Sequence, residues 1–304
     1  MALQKFNFDF PFFQGKQPVK VLEREHRLFL NEMLSNLKLN SYSTSIKYDR
    51  VEDKLKGPFA DINKDISIQE TFQSFLWIWN YCLIVMYDEA IAKPRLKLPY
   101  DKSKVETAFK LLDYGYSLFT TYKKWDLTLP NPQEYTLDDA DYITKANAAY
   151  LFSLSKIILH EIGHIDLGHI DKLIQARAGT YTITNDERKQ FEYEADDFAI
   201  QRLGKGFTNP QYKRTIEYGL ISGFSAIIII QNKLRAGVYP DADERLKIGI
   251  ESLNLHEEDN YWGIACLAMK LWSNRNTVDL NWALEYETYK ELFYETLKTI
   301  DKLK

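Results

Sequence analysis

The sequence predicts a mainly α fold with at most a small β-sheet. Apolar residues recur at helical spacing over long stretches, as in Val105, Phe109, Leu112, Tyr116 and Phe119. Thr184-Asn185-Asp186-Glu187 has the form of a capping box, with Glu187 reaching back to Thr184, and stands before another such stretch. Period-two alternation is clear only in residues 41–48, so strands are scarce.

In chain order, residues 1–20 read as irregular, punctuated by Pro11, Gly15 and Pro18. Residues 23–39 form a helix through Leu28, Phe29, Met33, Leu34 and Leu37, and Tyr42, Thr44, Ile46 and Tyr48 alternate as a short strand. A helix is expected over 67–92, then a connection over 93–99 broken by Pro94 and Pro99, then a helix over 102–124. Leu129-Pro130-Asn131-Pro132 lies in a loop over 125–135. Residues 142–172 are mostly helical, and the helix capped by Thr184 runs to Leu203. Further helices follow over 212–235, 242–253, 261–273 and 282–302, with a turn at 238–241. A minor sheet is placed near 41–60 or 180–184. No long polar linker divides the chain, so residues 1–304 read as one domain.

Composition narrows the function. A net charge of -4 gives no pull toward nucleic acid or an anionic membrane. The uncharged stretches 72–87 and 218–230 fall short of the roughly 18–20 apolar residues that cross a bilayer. They are expected as buried helices. The 20 Tyr, 17 Phe and 6 Trp are expected to pack the core. Cys82 and Cys266 fit no disulfide framework or metal motif and sit in apolar runs, as buried thiols of a reducing compartment. Residues 1–13 lack a basic segment followed by an apolar one, so a cytoplasmic location is expected.

One motif carries chemistry. His160-Glu161-Ile162-Gly163-His164 is the H-E-x-x-H pattern of zinc hydrolases. In a chain with so few histidines it arises by chance on the order of once in two hundred sequences. Residues four apart share a helix face, so both imidazoles can reach one Zn2+. Glu161 cannot point at the ion with them but can reach a water there, which makes it the candidate general base. The apolar flanks, Ile157 to Leu159 and then Ile162, Ile165 and Leu167, predict a buried helix in which two imidazoles need a partner. Gly163 in that helix costs about 1 kcal/mol relative to Ala. Either a substrate or a tightly packed neighbour would explain it.

The third ligand is sought downstream, in Glu192-Tyr193-Glu194-Ala195-Asp196. Glu192 and Glu194 lie about 200° apart on a helix, so only one can face the ion. Asp196 shares the face of Glu192 and can orient a ligand histidine, which makes Glu192 the ligand and Asp196 its outer partner. Glu194 is then expected as a solvated or helix-packing carboxylate, and Asp197 as a surface residue. His169 lies five residues after His164, about 140° round a continuing helix, and is expected at a helix end or behind the ligands. His26 and His256 have charged neighbours and are expected at the surface.

The pairing of His160-Glu161-x-x-His164 with Glu192-x-x-x-Asp196 resembles the gluzincin metallopeptidases. Residues 111–118 (Leu-Leu-Asp-Tyr-Gly-Tyr-Ser-Leu), Trp125-Asp126, Leu129-Pro130-Asn131-Pro132, Ala146-Asn147 and the run from Ile158 to His169 are similar to the Lit-type peptidases of bacterial phage exclusion. The resemblance spans about 66–250, leaving 1–65 without a matched role and 251–304 as a C-terminal helical region. It implies a helical gluzincin-like core and a cytosolic zinc protease. It also implies that this protease cleaves a host translation factor, elongation factor Tu, on a phage-derived trigger. His160, His164 and Glu192 carry over as ligands and Glu161 as base. Arg245, after Tyr239-Pro240, resembles an arginine that follows the glutamate helix in related proteases; the other reading is a surface arginine. Tyr193, His169, Tyr239 and Arg245 are the candidates for an oxyanion donor. Two other functions fit the motif: a regulatory zinc protease acting on another cytosolic protein, and a non-catalytic protein stabilised by zinc with four protein ligands.

Overall fold

The computed structural model describes residues 4–5, 17–49, 53–207, 209–231, 235, 237–280, 282 and 285–304. Of the irregular N-terminal stretch, Pro11 and Gly15 lie outside the described residues. Strand β1 (Gln4–Lys5) and a 3-10 turn (Pro18–Leu22) precede helix α1 (Glu23–Asn36). Helix α1 buries His26, Leu30, Met33 and Leu34, the stripe expected of a helix resting on a core. His26 is therefore not a surface residue. Its neighbours in sequence are charged, but the helical period turns its ring inward, where Nδ1 meets the Tyr48 hydroxyl at 2.8 Å.

Residues 41–48 split. A 3-10 turn (Asn40–Thr44) comes first, because the hydroxyls of Ser43 and Thr44 bond back to the carbonyls of Asn40 and Ser41. Strand β2 (Ile46–Asp49) follows, with β3 (Phe59–Ala60) and β4 (Ile66–Gln69). Strand β4 is central, parallel to β2 with Ile46 opposite Ile66, and antiparallel to β3 with Ala60 opposite Ile66. The expected helix from residue 67 thus starts late. Ile66 and Ile68 alternate into the core as strand residues, and extended Gln69 precedes α2 (Glu70–Tyr87).

Helix α2 buries every residue except Ile84, as a helix apolar on all sides must. No helix among the described residues is long and apolar enough to cross a membrane. A π turn (Asp88–Ala92) ends the helix expected to residue 92, and α3 (Lys93–Arg95) carries it into the expected connection. Pro94 lies just after the π turn, where the Lys93 N–H reaches back to the Asp88 carbonyl, and the helix ends within two residues of it. Helix α4 (Lys102–Ser117) is capped by Asp101 and stops well before residue 124. Strand β5 (Glu134–Tyr135) pairs antiparallel with β1.

Helix α5 (Ala140–Asp166) ends where Gly168, at φ 76°, turns the chain into α6 (His169–Arg177). The left-handed conformation favours glycine and breaks what was expected as one helix to residue 172. Thr184 completes the capping box of α7 (Asn185–Gly206). Then come α8 (Lys213–Gln231), α9 (Ala242–Glu251), α10 (Asn260–Asn276) and α11 (Tyr289–Leu303). The helix expected to run to Arg235 is described to Gln231; residues 232–234 lie outside the described residues, and Arg235 is not helical. Helix α11 begins after its cap, Thr288, whose side chain accepts the Glu291 N–H, rather than at Trp282. Helix α5 is the hub, packed against α2, α7 and α8, and α2 packs also on α4. Trp77, Trp79, Tyr81 and Tyr150 are buried in this core, and both cysteines are free and buried.

Candidate metal centre

The last turns of α5 present His160 and His164 with their Nε2 atoms 3.1 Å apart. Glu192, on α7, brings Oε2 to 3.4 Å from His160 Nε2 and Oε1 to 3.6 Å from His164 Nε2. One ligand atom from each of the three residues lies within 4.8 Å of the others. Two imidazole nitrogens facing each other beside a carboxylate are poorly matched alone, because both cannot carry a proton toward the same point. A divalent ion that takes nitrogen and oxygen ligands resolves that arrangement, so the residues fit zinc. Burial, with the neighbouring His160 charge, pushes His164 down to about 3, keeping it neutral as a ligand must be. Burial alone would raise Glu192, but the His160 hydrogen bond and the charges of His160 and Arg245 hold it at about 2.

Gly163 explains how α7 comes so close. A Cβ there would lie 3.1 Å from Ala195 Cα and 3.2 Å from Phe198 Cβ. The glycine serves helix packing, and that packing delivers Glu192 and Asp196 to the histidines.

Asp196 is buried behind His160, with Oδ1 2.9 Å from His160 Nδ1. This close approach falls short of a straight hydrogen bond, leaving Nδ1 without a well-aligned partner. Arg245, on α9, is also buried rather than at the surface. Its Nε and Nη2 donate to Asp196 at 2.6 and 2.9 Å, and Nη1 lies 3.2 Å from Glu192 Oε2. Lys156, which the motif reading passed over, donates from Nζ to Asp196 Oδ1 at 3.0 Å. The available signal was a single lysine one turn before His160 in an otherwise apolar run. Burial would raise the Asp196 carboxyl, but Arg245, Lys156 and His160 hold it well below the usual range.

His169 stands behind His164. Gly168 turns it back so that its Nδ1 lies 3.0 Å from His164 Nδ1, while its Nε2 meets Glu194 Oε2 at 2.8 Å. Phe191 stacks on its ring at 4.3 Å. Glu194 is exposed, as expected, yet it is more than a solvated carboxylate because it holds His169. Asp197 and His256 are at the surface.

Glu161 is held from the sheet side: its Oε2 accepts the Ala60 N–H of β3 at 2.9 Å. Burial lifts its carboxyl to about 7, against the opposing pull of the His160 charge. His160, Glu161, His164 and Glu192 open on a cleft of about 580 Å³ with walls that include Phe72, Ile157, Ile170, Phe191 and Ile227. Tyr239 lines this cleft with a ring 47% exposed, whereas Tyr193 does not line it and donates to Glu244 Oε2 at 2.9 Å. A larger open hollow of about 870 Å³, by Arg95 and Tyr289, shares none of these residues.

A helical frame with a convergent His-His-Glu set beside a buried carboxylate defines a protein able to hold a metal ion in an open cleft. The sequence model of the Peptidase U49 family matches residues 66–265, about two thirds of the chain. The chain belongs to the Peptidase U49 family. The matched span contains every site residue described above except Ala60 and its strand. Searches of curated proteins and of solved structures gave no match.

Proposed function

We propose that this chain is a zinc-dependent endopeptidase of the gluzincin type, acting on an intracellular protein. The observation that carries the reading is the convergence of His160, His164 and Glu192 beside Glu161 in an open cleft. Zinc, when bound, would polarise a substrate carbonyl and acidify a water. Glu161, held through Oε2 by the Ala60 N–H, keeps its other oxygen for that water's proton and passes it to the leaving amine. Asp196 and His169 orient the two ligand imidazoles from behind. Tyr239 is the oxyanion donor of choice, since Tyr193, His169 and Arg245 are engaged elsewhere. The apolar walls suit an apolar side chain of an extended peptide.

The resemblance to Lit-type peptidases supplies the finer reading: a cytoplasmic enzyme that cuts elongation factor Tu on a phage-derived trigger and aborts infection. A purely structural zinc site is less well supported, because its fourth ligand would have to be His169 or Glu194, and these bind each other. The test is Glu161→Gln with fragment mapping after induced expression. The variant is expected to retain one zinc per chain and lose cleavage. Undiminished cleavage would remove Glu161 as base, and a wild-type chain without zinc at this site would sink the reading. Fragments of a repressor rather than of elongation factor Tu would point to a regulatory protease.

A further inference from the structure

Lys156 is used by none of the steps above, yet it is among the most deeply buried charged groups of the chain. Its side chain is 1% exposed. Nζ has two neighbours of note, Asp196 Oδ1 at 3.0 Å and the Phe224 ring, whose centroid is 3.7 Å away. A buried ammonium needs a strong reason to be retained, because leaving water is costly.

Positioning Asp196 is not that reason. Arg245 already grips both carboxylate oxygens, at 2.6 and 2.9 Å, and its planar fork fixes the orientation. What Lys156 adds is charge. Among the described residues, Lys156 and Arg245 are the lysine and arginine side chains paired with Asp196 and Glu192, so these four groups sum to neutrality before any ion enters. Without Lys156 the same cage would be anionic, and its carboxylates would share a single arginine.

We infer that Lys156 is a built-in counter-charge of the metal site, which stabilises the ion-free cage and lowers its affinity for zinc. The inference rests on the zinc reading. A unit positive charge held behind Asp196 opposes an incoming dication through a poorly screened interior. It also competes with His160 for Asp196 Oδ1, and so weakens the support that this carboxylate gives to its ligand.

Two neutral variants test this in the full-length chain, Lys156→Met, which keeps the stem, and Lys156→Gln, which keeps a hydrogen-bond donor. Zinc affinity is read by competition with a chelating dye, and stability by thermal unfolding of the metal-free protein. The expected result is zinc binding at least tenfold tighter, about 1.4 kcal/mol, together with a lower metal-free unfolding temperature. Replacing a lysine that merely braced the fold would instead lower both stability and zinc affinity. Unchanged or weaker zinc binding in the folded variants overturns the inference while leaving the zinc reading intact. If the wild-type chain binds zinc no better than His160→Ala, the metal site itself fails and this inference with it. Should Lys156→Met not fold, Lys156→Gln carries the same two readings.

Discussion

Replacing Asp196 by Asn should damage both the metal site and the fold, and its magnitude can be worked from the contacts. Asp196 accepts Arg245 at 2.6 and 2.9 Å and Lys156 at 3.0 Å, and lies 2.9 Å from His160 Nδ1. Asparagine keeps the shape but withdraws the charge and turns an amide N–H2 toward one of these donors. Two buried cations are then left with Glu192, which lies 3.2 Å from Arg245 Nη1. Breaking a buried pair by removing one partner costs about 3–5 kcal/mol, and the surviving Glu192 contact places this case near 3. Loss of the carboxylate behind His160 should weaken zinc binding by about 10–100-fold. Urea unfolding of the metal-free protein and zinc titration against a chelator measure the two losses separately. Adding Lys156→Met should recover part of the stability, since it removes one orphaned cation, with a coupling of about 0.5–3 kcal/mol. An Asp196→Asn protein with stability within about 1 kcal/mol of wild type and nearly unchanged zinc affinity would refute the reasoning.

Other perturbations have equally definite outcomes. Burial, helped by the Arg27 charge, lowers His26 to about 3 from an ordinary 6.5. The stability it contributes is therefore complete above pH 6.5 and lost as pH falls toward 3, by up to about 1.4 kcal/mol per pH unit. Urea midpoints of wild type and His26→Phe across that range should diverge in slope, and parallel curves would count against a buried neutral imidazole. Gly163→Ala places a methyl 3.1 Å from Ala195 Cα. It should cost about 1–3 kcal/mol by overpacking and weaken zinc binding, because α7 must move with Glu192; calorimetric titration checks the second effect. Thr184→Ala removes the cap of α7 and should cost about 1 kcal/mol with zinc affinity unaltered, which separates general loosening from displacement of the site.

The arrangement of the candidate site was legible where it depends on spacing within one helix. His160 and His164 share a face of α5, and Glu192 and Asp196 share a face of α7, so sequence offsets alone pair them. What helical spacing could not reveal is which elements meet. Arg245 looked as much like a surface residue as a site residue until α9 was seen to bury it against Asp196. Ala60 acts through its backbone, for which no side-chain motif exists. Lys156 was hidden by its apolar surroundings, although a lone charge within such a run is itself a signal. The helix boundaries erred for local reasons. Ile66 and Ile68 belong to a strand that leads directly into a helix, and Gly168 breaks the helix inside a stretch with helical periodicity on both sides. His26 shows the opposite error, since charged neighbours in sequence say little about which side of a helix faces water.

The donors come from two interlocked helices. Both imidazoles and the proposed base ride on α5, which is clasped by α2, α7 and α8, whereas the third donor comes from α7. Unravelling α5 would mean dismantling the protein, so amide protons around its histidines should exchange only on the slowest, global timescale. An ion held here would then exchange, short of denaturation, through rotation of donor side chains while both helix backbones stay in place.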